Sequence, residues 1–329
     1  MVPEPVDYAG RPYRIDASVH RRFDRRMTAF SRRNVFNVFD CFVPSTPDQE
    51  DPSLPLLAEA RASWILHDCF DGAFTDRMVG DHRLVAGAPP FRYRFPAPAE
   101  ASEALRSAAL RFGASLVGFT RVRERWLYSR ERDGSLVSLP PGASWAVVMA
   151  VAMDGSGISR SPGLEAACAT GRGYSAMALL SSSLAEYLRL LGYYARSSGN
   201  DTALSIPMAV DAGLGVQGRN GLLLTRRLGP CVRICKVFTD LELEPSTCSF
   251  PSPMEVCGDC TLCAEACEPK ALSTASSPTW EVLTSSNNPG VLRWQFDPEK
   301  CLDYWIGMGR DCSNCISSCP ASERLAAPH

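Results

Sequence analysis

The chain of 329 residues is long enough for two domains, or for one large α/β domain with an appendage. Its 45% apolar and 21% charged residues are ordinary for a soluble, well-packed protein, and its net charge of −2 gives no electrostatic support for nucleic-acid binding. No stretch approaches the ~20 uninterrupted apolar residues that span a bilayer.

The 14 cysteines are the unusual feature of the composition. So many cysteines indicate either a secreted disulfide framework or metal ligands in a reducing compartment. Residues 1–10 are acidic and Pro-rich without an apolar run, unlike a signal peptide. The paired arginines in residues 31–36 resemble a twin-arginine export signal, but the apolar run after them is short and broken by Asp40, Pro44 and Pro47. We therefore expect a cytoplasmic protein with metal-bound thiolates.

The predicted elements divide the chain into three parts. Residues 1–95 are rich in Pro, Arg and Asp and are interpreted as an N-terminal wrapping segment with short helices. Residues 96–248 alternate between strand-like and helix-like segments, which is typical of a layered α/β domain. Residues 249–329 form a small cysteine-rich domain with a polar, loop-like insertion at 274–290.

The spacing of apolar residues predicts the helices and strands of residues 96–248. Helical spacing predicts helices at 103–112, 174–191 and 206–212. Continuous apolar runs predict strands at 115–122, 145–153, 193–197, 221–225 and 232–238. Such runs suit strands that are buried on both faces.

Eight cysteines near the C-terminus have the spacing of iron–sulfur ligands. The first run, separated by two, two and three residues as in bacterial ferredoxins, is Cys257, Cys260, Cys263 and Cys267. The second run, which ends in Cys-Pro, is Cys301, Cys312, Cys315 and Cys319. Eight is the number of thiolates that two 4Fe–4S clusters need. Glu268 stands where a proline usually follows the fourth cysteine.

In two-cluster ferredoxins the last cysteine of a run ligates the other cluster. One predicted cluster therefore has the ligands Cys257, Cys260, Cys263 and Cys319. The other has the ligands Cys267, Cys301, Cys312 and Cys315. Zinc sites and disulfides are the alternatives, although zinc typically takes two pairs of ligands. Six cysteines without ligand spacing are interpreted as small buried apolar side chains: Cys41, Cys69, Cys168, Cys231, Cys235 and Cys248.

Residues 213–218 match the dinucleotide-binding pattern G-x-G-x-x-G, with Asp240 about twenty residues further on. That fingerprint needs a strand before it and a helix after it, whereas here the predicted helix precedes and the strand follows. We interpret Gly213 and Gly215 instead as a loop whose backbone approaches a large, flat or bulky ligand.

Three segments carry a resemblance to a known family. They are RFDRRMTAFSR at 22–32, a middle block between 173 and 240, and the cysteine-rich domain with Trp294 and Phe296. The middle block contains GYS at 173–175, GNDTALSIP at 199–207, AGLG at 212–215, GRNG at 218–221 and GPCVRICKVFTD at 229–240. Together these segments resemble the cobalamin-dependent reductive dehalogenases over most of residues 20–320. The epoxyqueuosine reductases share the two-part plan but differ in the middle block.

The resemblance implies a nitroreductase-like α/β/α core that holds a base-off cobalamin, with a ferredoxin-like domain carrying two 4Fe–4S clusters packed against it. None of the four histidines has a ligand-like setting, so we expect no protein histidine on cobalt. The implied activity is reductive removal of halogen from an organohalide, with aryl halides favoured, through Co(I). A flavin–ferredoxin reductase domain is not recognised in the chain, so the expected electron donor is a separate ferredoxin- or flavodoxin-type protein or reductase.

The resemblance also assigns roles to residues. Tyr174, placed at the start of the long predicted helix, matches the family's proton donor, and Arg233 matches its partner, which favours the phenolate. Lys236 is a possible substitute for Arg233 or a supplement to it. The expected cofactor-binding residues are Thr170, Asn200, Gly213, Gly215, Asn220 and Gly221. The expected lining of the substrate pocket is Tyr304 and Trp305.

Other interpretations of these residues stay open. Without the resemblance, Tyr174 is more simply a hydrogen-bonded core tyrosine and Arg233 a strand-edge cation. A related cobalamin-dependent reductase of a non-halogenated substrate such as epoxyqueuosine is the second functional hypothesis. A non-catalytic electron-transfer or corrinoid-binding module is the third.

Overall fold

The computed structural model describes residues 6–7, 14–35, 54–64, 91–247 and 250–321. Much of the predicted wrapping segment lies outside the described residues, as do Cys41, Cys69 and Cys248 and the residues that follow the paired arginines. Within the described part of the chain, no helix is both long and apolar enough to cross a bilayer.

The helices and strands follow one another in the order expected of an α/β domain with a C-terminal appendage. The helices are α1 Ala29–Arg32, α2 Leu54–Ser63, α3 Pro98–Arg111, α4 Gly155–Ile158, α5 Leu164–Leu190, α6 Ser205–Asp211, α7 Pro253–Cys257, α8 Leu262–Glu265, α9 Pro298–Met308 and α10 Asn314–Ser317. The strands are β1 Val6–Asp7, β2 Arg14–Ile15, β3 Leu116–Arg121, β4 Trp145–Ala152, β5 Ala195–Ser198, β6 Val216–Gln217, β7 Leu223–Leu224, β8 Val232–Thr239 and β9 Val291–Leu292.

The central sheet has the strand order β3–β4–β8–β5, and every neighbouring pair is antiparallel. A small sheet, β1–β2–β9, joins the N-terminal residues to the cysteine-rich part of the chain. Strands β6 and β7 form a separate antiparallel pair. The predicted α/β class is therefore confirmed, and the sheet that carries it is antiparallel throughout.

Both faces of the central sheet are buried, and this explains the continuous apolar runs in its strands. Along β4, Ala146 and Val148 face a core that includes α6. The alternate residues Val147 and Met149 face a second core that includes α3 and α5. Successive side chains of a strand point to opposite faces, so the helices form a layer on each side of the sheet. The result is an α/β/α arrangement; its likeness to nitroreductases stays a prediction.

Helix α5 begins ten residues earlier than the spacing predicts, because it starts at Leu164. The prediction that Tyr174 opens the helix is therefore wrong. Gly171 and Gly173 interrupt the apolar pattern, but both lie inside the helix, where tertiary contacts require them. A Cβ at Gly171 would lie 2.2 Å from the Ser63 Oγ.

Arg219 ties the α/β part to the cysteine-rich part. Its buried guanidinium donates to the carbonyl oxygens of Ser273, Ala275, Cys257 and Gly258 at 2.6–3.2 Å. These bonds hold together the start of the 274–290 insertion and the first cysteine run. The insertion contains turns and bends but neither helix nor strand, as predicted.

Candidate active site and cluster-binding cysteines

A large cavity lies between the α/β layers and the cysteine-rich part of the chain. It encloses about 450 Å³, and the empty space including its open mouth is about 1770 Å³. Its aromatic lining consists of Phe23, Phe30, Trp126, Tyr128, Tyr174, Phe296 and Trp305. Sites for small molecules and cofactors are typically concave, mostly apolar and about 300–1,000 Å³ in volume. The cavity is therefore the candidate active site.

Three residues predicted from the sequence meet at the wall of this cavity. Tyr174 comes from α5, Arg233 from β8, and Asn200 from the loop after β5. The Asn200 Nδ2 lies 3.4 Å from the Tyr174 hydroxyl oxygen. The guanidinium carbon of Arg233 lies 4.7 Å from the centroid of the Tyr174 ring. A phenol is thus held between an amide and a cation at the cavity.

Trp64 also contacts Tyr174, and sequence reasoning missed it. The two rings stack with centroids 4.8 Å apart and an interplanar angle of 28°. Trp64 follows α2, and Gly171 lets it approach α5 closely, since a Cβ there would lie 2.6 Å from the Trp64 Cδ1. The only signal for this residue was its place in an apolar stretch, because nothing in the spacing relates it to Tyr174.

Lys236 is fully buried and is not among the residues that line the cavity. Its Nζ donates to the Gly199 carbonyl oxygen and, over 2.8 Å, to the Ser205 Oγ. Burial lowers the pKa of Lys236 to about 8, while Asp201 partly opposes this effect. The structure therefore places Lys236 beneath the loop that carries Asn200. Its catalytic role stays a prediction.

The predicted cofactor and substrate positions separate into two groups. Asn200, Gly221 and Trp305 line the cavity. Those that do not line it are Thr170, Gly213, Gly215, Asn220 and Tyr304. The roles assigned to both groups stay predictions.

Positions away from the cavity have protein neighbours instead. Thr170 lies 3.5 Å from Ser313, oxygen to oxygen. A Cβ at Gly215 would lie 2.2 Å from the Leu224 carbonyl oxygen, so protein backbone is what approaches this glycine. Asn220 donates through its Nδ2 to the Cys315 carbonyl oxygen over 3.2 Å.

The first predicted cysteine quartet surrounds a second, smaller cavity. This cavity has about 320 Å³ of empty space including its mouth, and its lining includes Cys257, Cys260, Cys263 and Cys319. Burial, reinforced by the three other thiols, raises the pKa of Cys263 to about 12. Within the residues that the structure describes, no three His, Cys, Asp or Glu side chains converge closely enough to hold a single metal ion. The assignment of this quartet to a 4Fe–4S cluster rests on its ligand spacing and stays a prediction.

The second predicted quartet also gathers in space. Burial raises the pKa of Cys301 to about 12, and the nearby thiols of Cys312 and Cys267 add to the effect. Burial is likewise the main cause of a raised pKa at Cys315, with further contributions from Cys301, Cys312 and Cys267 and from Cys263 of the first quartet. Cys301 in addition lines the large cavity. One of the predicted iron ligands is thus part of the candidate active site.

Three buried polar atoms at the large cavity have no hydrogen-bond partner within the described residues. They are the Arg233 Nε, the Asn288 Oδ1 and the Trp305 Nε1. A buried polar group costs free energy unless it is paired, so these three atoms are candidate contacts for a ligand. The cavity therefore suits a bulky apolar ligand with polar groups at its edge, and a corrinoid with its carboxamide side chains has this chemistry.

Comparisons with known proteins agree with this geometry. Residues 256–322 match the family model of the 4Fe-4S dicluster domain. The chain is 35% identical over 270 residues to a tetrachloroethene reductive dehalogenase of Desulfitobacterium hafniense, a match that covers 69% of this chain and 49% of the relative. It is also 29% identical over 121 residues to an epoxyqueuosine reductase of Synechocystis sp., covering 36% of this chain and 39% of the relative.

Solved structures share the fold. The catabolic reductive dehalogenase NpRdhA in complex with 3-bromo-4-hydroxybenzoic acid has a TM-score of 0.72 at 21% identity, covering 97% of this chain and 44% of its own. A reductive dehalogenase structure described for B12-dependent dehalogenation has a TM-score of 0.73 at 21% identity, covering 98% of this chain and 46% of its own.

The scaffold, the cavity and the dicluster domain define an iron–sulfur protein with a large ligand site between its two parts. The chain belongs to the reductive dehalogenase family, which is related to the epoxyqueuosine reductases. It spans about half the length of the curated dehalogenases that it matches.

Proposed function

We propose that this protein is a corrinoid- and iron–sulfur-dependent reductase that removes halogen from an organohalide. The observation that carries the proposal is that Cys301 and Tyr174 line the same cavity. A predicted cluster ligand and a predicted proton donor therefore face one ligand site. Reductive dehalogenation needs both an electron source and a proton source at the carbon–halogen bond.

The cavity would hold the corrinoid through contacts of two kinds. Apolar and aromatic side chains would cover the faces of the macrocycle, while Asn288 and Trp305 offer unpartnered polar atoms to its edge. When bound, the corrinoid supplies the strongly reducing Co(I) centre that side chains cannot provide. In the described part of the chain His20 is buried, and burial lowers its pKa to about 4. Its Nε2 lies 3.4 Å from the Asn288 Nδ2.

The residues around Tyr174 would then deliver the proton. Asn200 fixes the position of the phenol oxygen through their 3.4 Å contact. The Arg233 cation near the ring would stabilise the negative charge left on the phenol as its proton moves to the carbon that loses the halide. Trp64 stacks on the ring and limits its rotation. The clusters, held as the two crossed quartets, would pass electrons to the cavity from a separate ferredoxin- or flavodoxin-type donor.

An aryl halide is the favoured substrate class. The cavity is lined by aromatic side chains, and flat aromatic substrates stack well against such walls. The related NpRdhA is described in complex with 3-bromo-4-hydroxybenzoic acid. The relative from Desulfitobacterium hafniense is named as a reductive dehalogenase of tetrachloroethene. A comparison of 3-bromo-4-hydroxybenzoate with tetrachloroethene therefore tests the class.

Anaerobic reconstitution tests the function as a whole. Reconstituted protein should contain about eight irons and one cobalt per chain. With titanium(III) citrate as reductant it should release bromide from 3-bromo-4-hydroxybenzoate. Protein that takes up iron but no corrinoid would contradict the proposal. Protein that binds both cofactors and releases no halide would favour a related reductase of another substrate.

Replacement of Tyr174 by phenylalanine tests the proton donor. The variant loses only the hydroxyl, so cofactor content should be unchanged while the rate of halide release falls by about 10²–10⁴-fold, the usual contribution of a general acid. Tyr187→Phe is the matched control, because Tyr187 lies in the same helix and packs against the same core as Tyr174 but does not line the cavity. Equal activity of Tyr174→Phe and wild type would remove Tyr174 from the mechanism.

A further inference from the structure

The side-chain oxygen of Asn288 is one of the buried polar atoms of the cavity wall that have no hydrogen-bond partner within the described residues. Asn288 is 5% exposed, and its Oδ1 has no hydrogen-bond partner within the described residues. It lies at the end of the 274–290 insertion and lines the cavity together with Cys301. Asn288 and Cys301 thus belong to the wall of the same cavity.

Neighbouring bonds fix the position of this residue. Asn287 is also buried, accepts hydrogen bonds from the backbone of Leu283 and Thr284 at 3.1 and 3.0 Å, and donates to the Phe296 carbonyl oxygen over 2.9 Å. These bonds tie the end of the insertion to the chain just before α9. Asn288 is therefore presented by an ordered turn, and its unpartnered oxygen does not depend on a mobile loop.

His20 determines which atom of the Asn288 amide faces the cavity. Burial is the main cause that lowers the pKa of His20 to about 4, so the imidazole is neutral at neutral pH. A neutral imidazole keeps one ring nitrogen as an acceptor. The His20 Nε2 lies 3.4 Å from the Asn288 Nδ2, and in the tautomer with its proton on Nδ1 it accepts from this amide nitrogen. The amide oxygen is then the atom left for a ligand.

Arg293 contributes a donor to the same cavity wall. It also lines the cavity, and its Nη2 donates to the Asn288 backbone oxygen over 3.4 Å. Its Nε donates to the Gln295 Oε1 over 3.2 Å. Among the described residues Arg293 has no carboxylate partner. A guanidinium has five N–H donors, so donors remain for a ligand.

The Asn288 side chain offers an acceptor to the cavity and Arg293 offers donors. Together they favour a ligand group that has both an N–H donor and an acceptor oxygen. A phosphate or carboxylate would suit Arg293 but would be repelled by the Asn288 oxygen, whereas a primary carboxamide satisfies both through its N–H and its carbonyl. Corrinoids carry such carboxamides around the macrocycle. We propose that Asn288 and Arg293 form a recognition site for one peripheral carboxamide of the bound corrinoid, with Asn288 accepting from its N–H. This inference rests on the proposed corrinoid-dependent function.

A measurement of the Kd for a corrinoid, and not of the turnover rate, tests the proposed carboxamide site. Iron-loaded protein is titrated anaerobically with aquocobalamin, and binding is followed by absorbance. Asn288→Leu keeps the branched shape and the number of heavy atoms of the side chain but removes the acceptor, so the Kd should rise roughly tenfold, as expected for one lost hydrogen bond. Asn288→Asp keeps an acceptor oxygen at this position. Its Kd for aquocobalamin should therefore stay near the wild-type value. Unchanged iron content and circular dichroism establish that each variant is folded.

Modified corrinoids identify the group that is recognised. Isomeric cobalamin monocarboxylic acids each have one propionamide converted to a carboxylate, which can no longer donate. Wild-type protein should discriminate roughly tenfold against one isomer, and Asn288→Leu should lose that discrimination. Equal Kd values for aquocobalamin in wild type and Asn288→Leu would overturn the inference.

Other outcomes separate the inference from the proposed function. A variant with a changed KM for the organohalide but an unchanged corrinoid Kd would assign Asn288 to the substrate and overturn the carboxamide site. Wild-type protein that binds no corrinoid would overturn the proposed function as well. Corrinoid binding by wild type with no effect of Asn288→Leu would leave the function standing and remove only this site.

Discussion

A buried cation holds the loop that presents Asn200 to the cavity. The Nζ of Lys236 bonds the Gly199 carbonyl oxygen and the Ser205 Oγ, which lie on the two sides of Asn200 in the chain. The Asp201 Oδ1 accepts from the Gly199 backbone over 2.7 Å, so the same turn is fixed from inside. These contacts hold the loop on both sides of Asn200, while the catalytic role of Lys236 stays a prediction.

The lowered pKa of Lys236 makes a prediction about proton uptake. Burial brings this pKa from 10.5 in the unfolded chain to about 8 in the folded one. Between those values the unfolded state binds more protons, so the free energy of unfolding rises with pH in that window. At pH 9, unfolding in urea should therefore take up nearly one more proton in wild type than in Lys236→Met.

An indicator dye in weakly buffered urea measures this difference without requiring refolding. At pH 7 both states of the wild type hold the proton, and the two proteins should behave alike. Equal proton uptake by both proteins at pH 9 would mean that Lys236 titrates normally in the folded chain.

Helix α5 carries the site because it can pack closely on two neighbours. Gly171 admits Ser63 and Trp64 against the helix, and Gly173 admits Met153 and Arg233, whose Cγ atoms would lie 3.0 and 3.1 Å from an added Cβ. Both glycines weaken the helix, by about 1 kcal/mol each relative to alanine. The packing of Trp64 and Arg233 around Tyr174 offsets that cost.

Replacement of Gly171 by alanine should separate α2 from α5. The new Cβ would lie 2.2 Å from the Ser63 Oγ and 2.6 Å from the Trp64 ring, so α2 must shift. We expect a loss of stability of about 1–3 kcal/mol, as for other overpacked contacts, and faster proteolysis within residues 54–64. Halide release should fall as well, because Trp64 no longer stacks on Tyr174.

Gly307→Ala is the matched control for this helix substitution. Gly307 lies inside α9, and a Cβ there would meet nothing within 4 Å. It should therefore leave activity unchanged and raise stability by up to about 1 kcal/mol. Similar proteolysis of both variants would show that α2 does not depend on the gap at Gly171.

The elements differ in how well the sequence predicts them, and the reason is physical. Strands β3, β4 and β8 were predicted within about two residues, because burial on both faces leaves an unbroken apolar run. The dicluster domain was predicted because ligand spacing is local. The start of α5 was missed because tertiary packing outweighs the glycine penalty. Trp64 was missed because a ring contact between distant segments leaves no periodic trace.

At the scale of the whole molecule, the two cysteine quartets differ in how they lie relative to the large cavity, which is the candidate active site. The first quartet surrounds its own small cavity beside Arg219 and Asn220. Asn220 then reaches across to the Cys315 carbonyl oxygen of the second quartet. The second quartet contributes Cys301 to the wall of the large cavity. This order predicts that electrons pass from the first cluster to the second and then to the ligand in the large cavity.

Alanine substitutions in the two quartets test the order. Cys301→Ala and Cys319→Ala should each lose or alter one cluster, so iron falls below about eight per chain in both. The two variants should differ in function, because only Cys301 adjoins the ligand cavity. Cys301→Ala should fail to reduce bound corrinoid with any reductant that is too large to enter the cavity. Cys319→Ala should retain that reduction with the same reductant, which supplies electrons directly to the remaining cluster.

Cys168→Ala is the control, because Cys168 is buried beside α2 and belongs to neither quartet. Its iron content and corrinoid reduction should equal those of the wild type, which separates loss of a ligand from loss of any thiol. Reduction of bound corrinoid is followed by absorbance after rapid anaerobic mixing. If Cys319→Ala abolishes it and Cys301→Ala spares it, the electron path runs in the opposite direction, and the wall of the large cavity is not where electrons enter the ligand site.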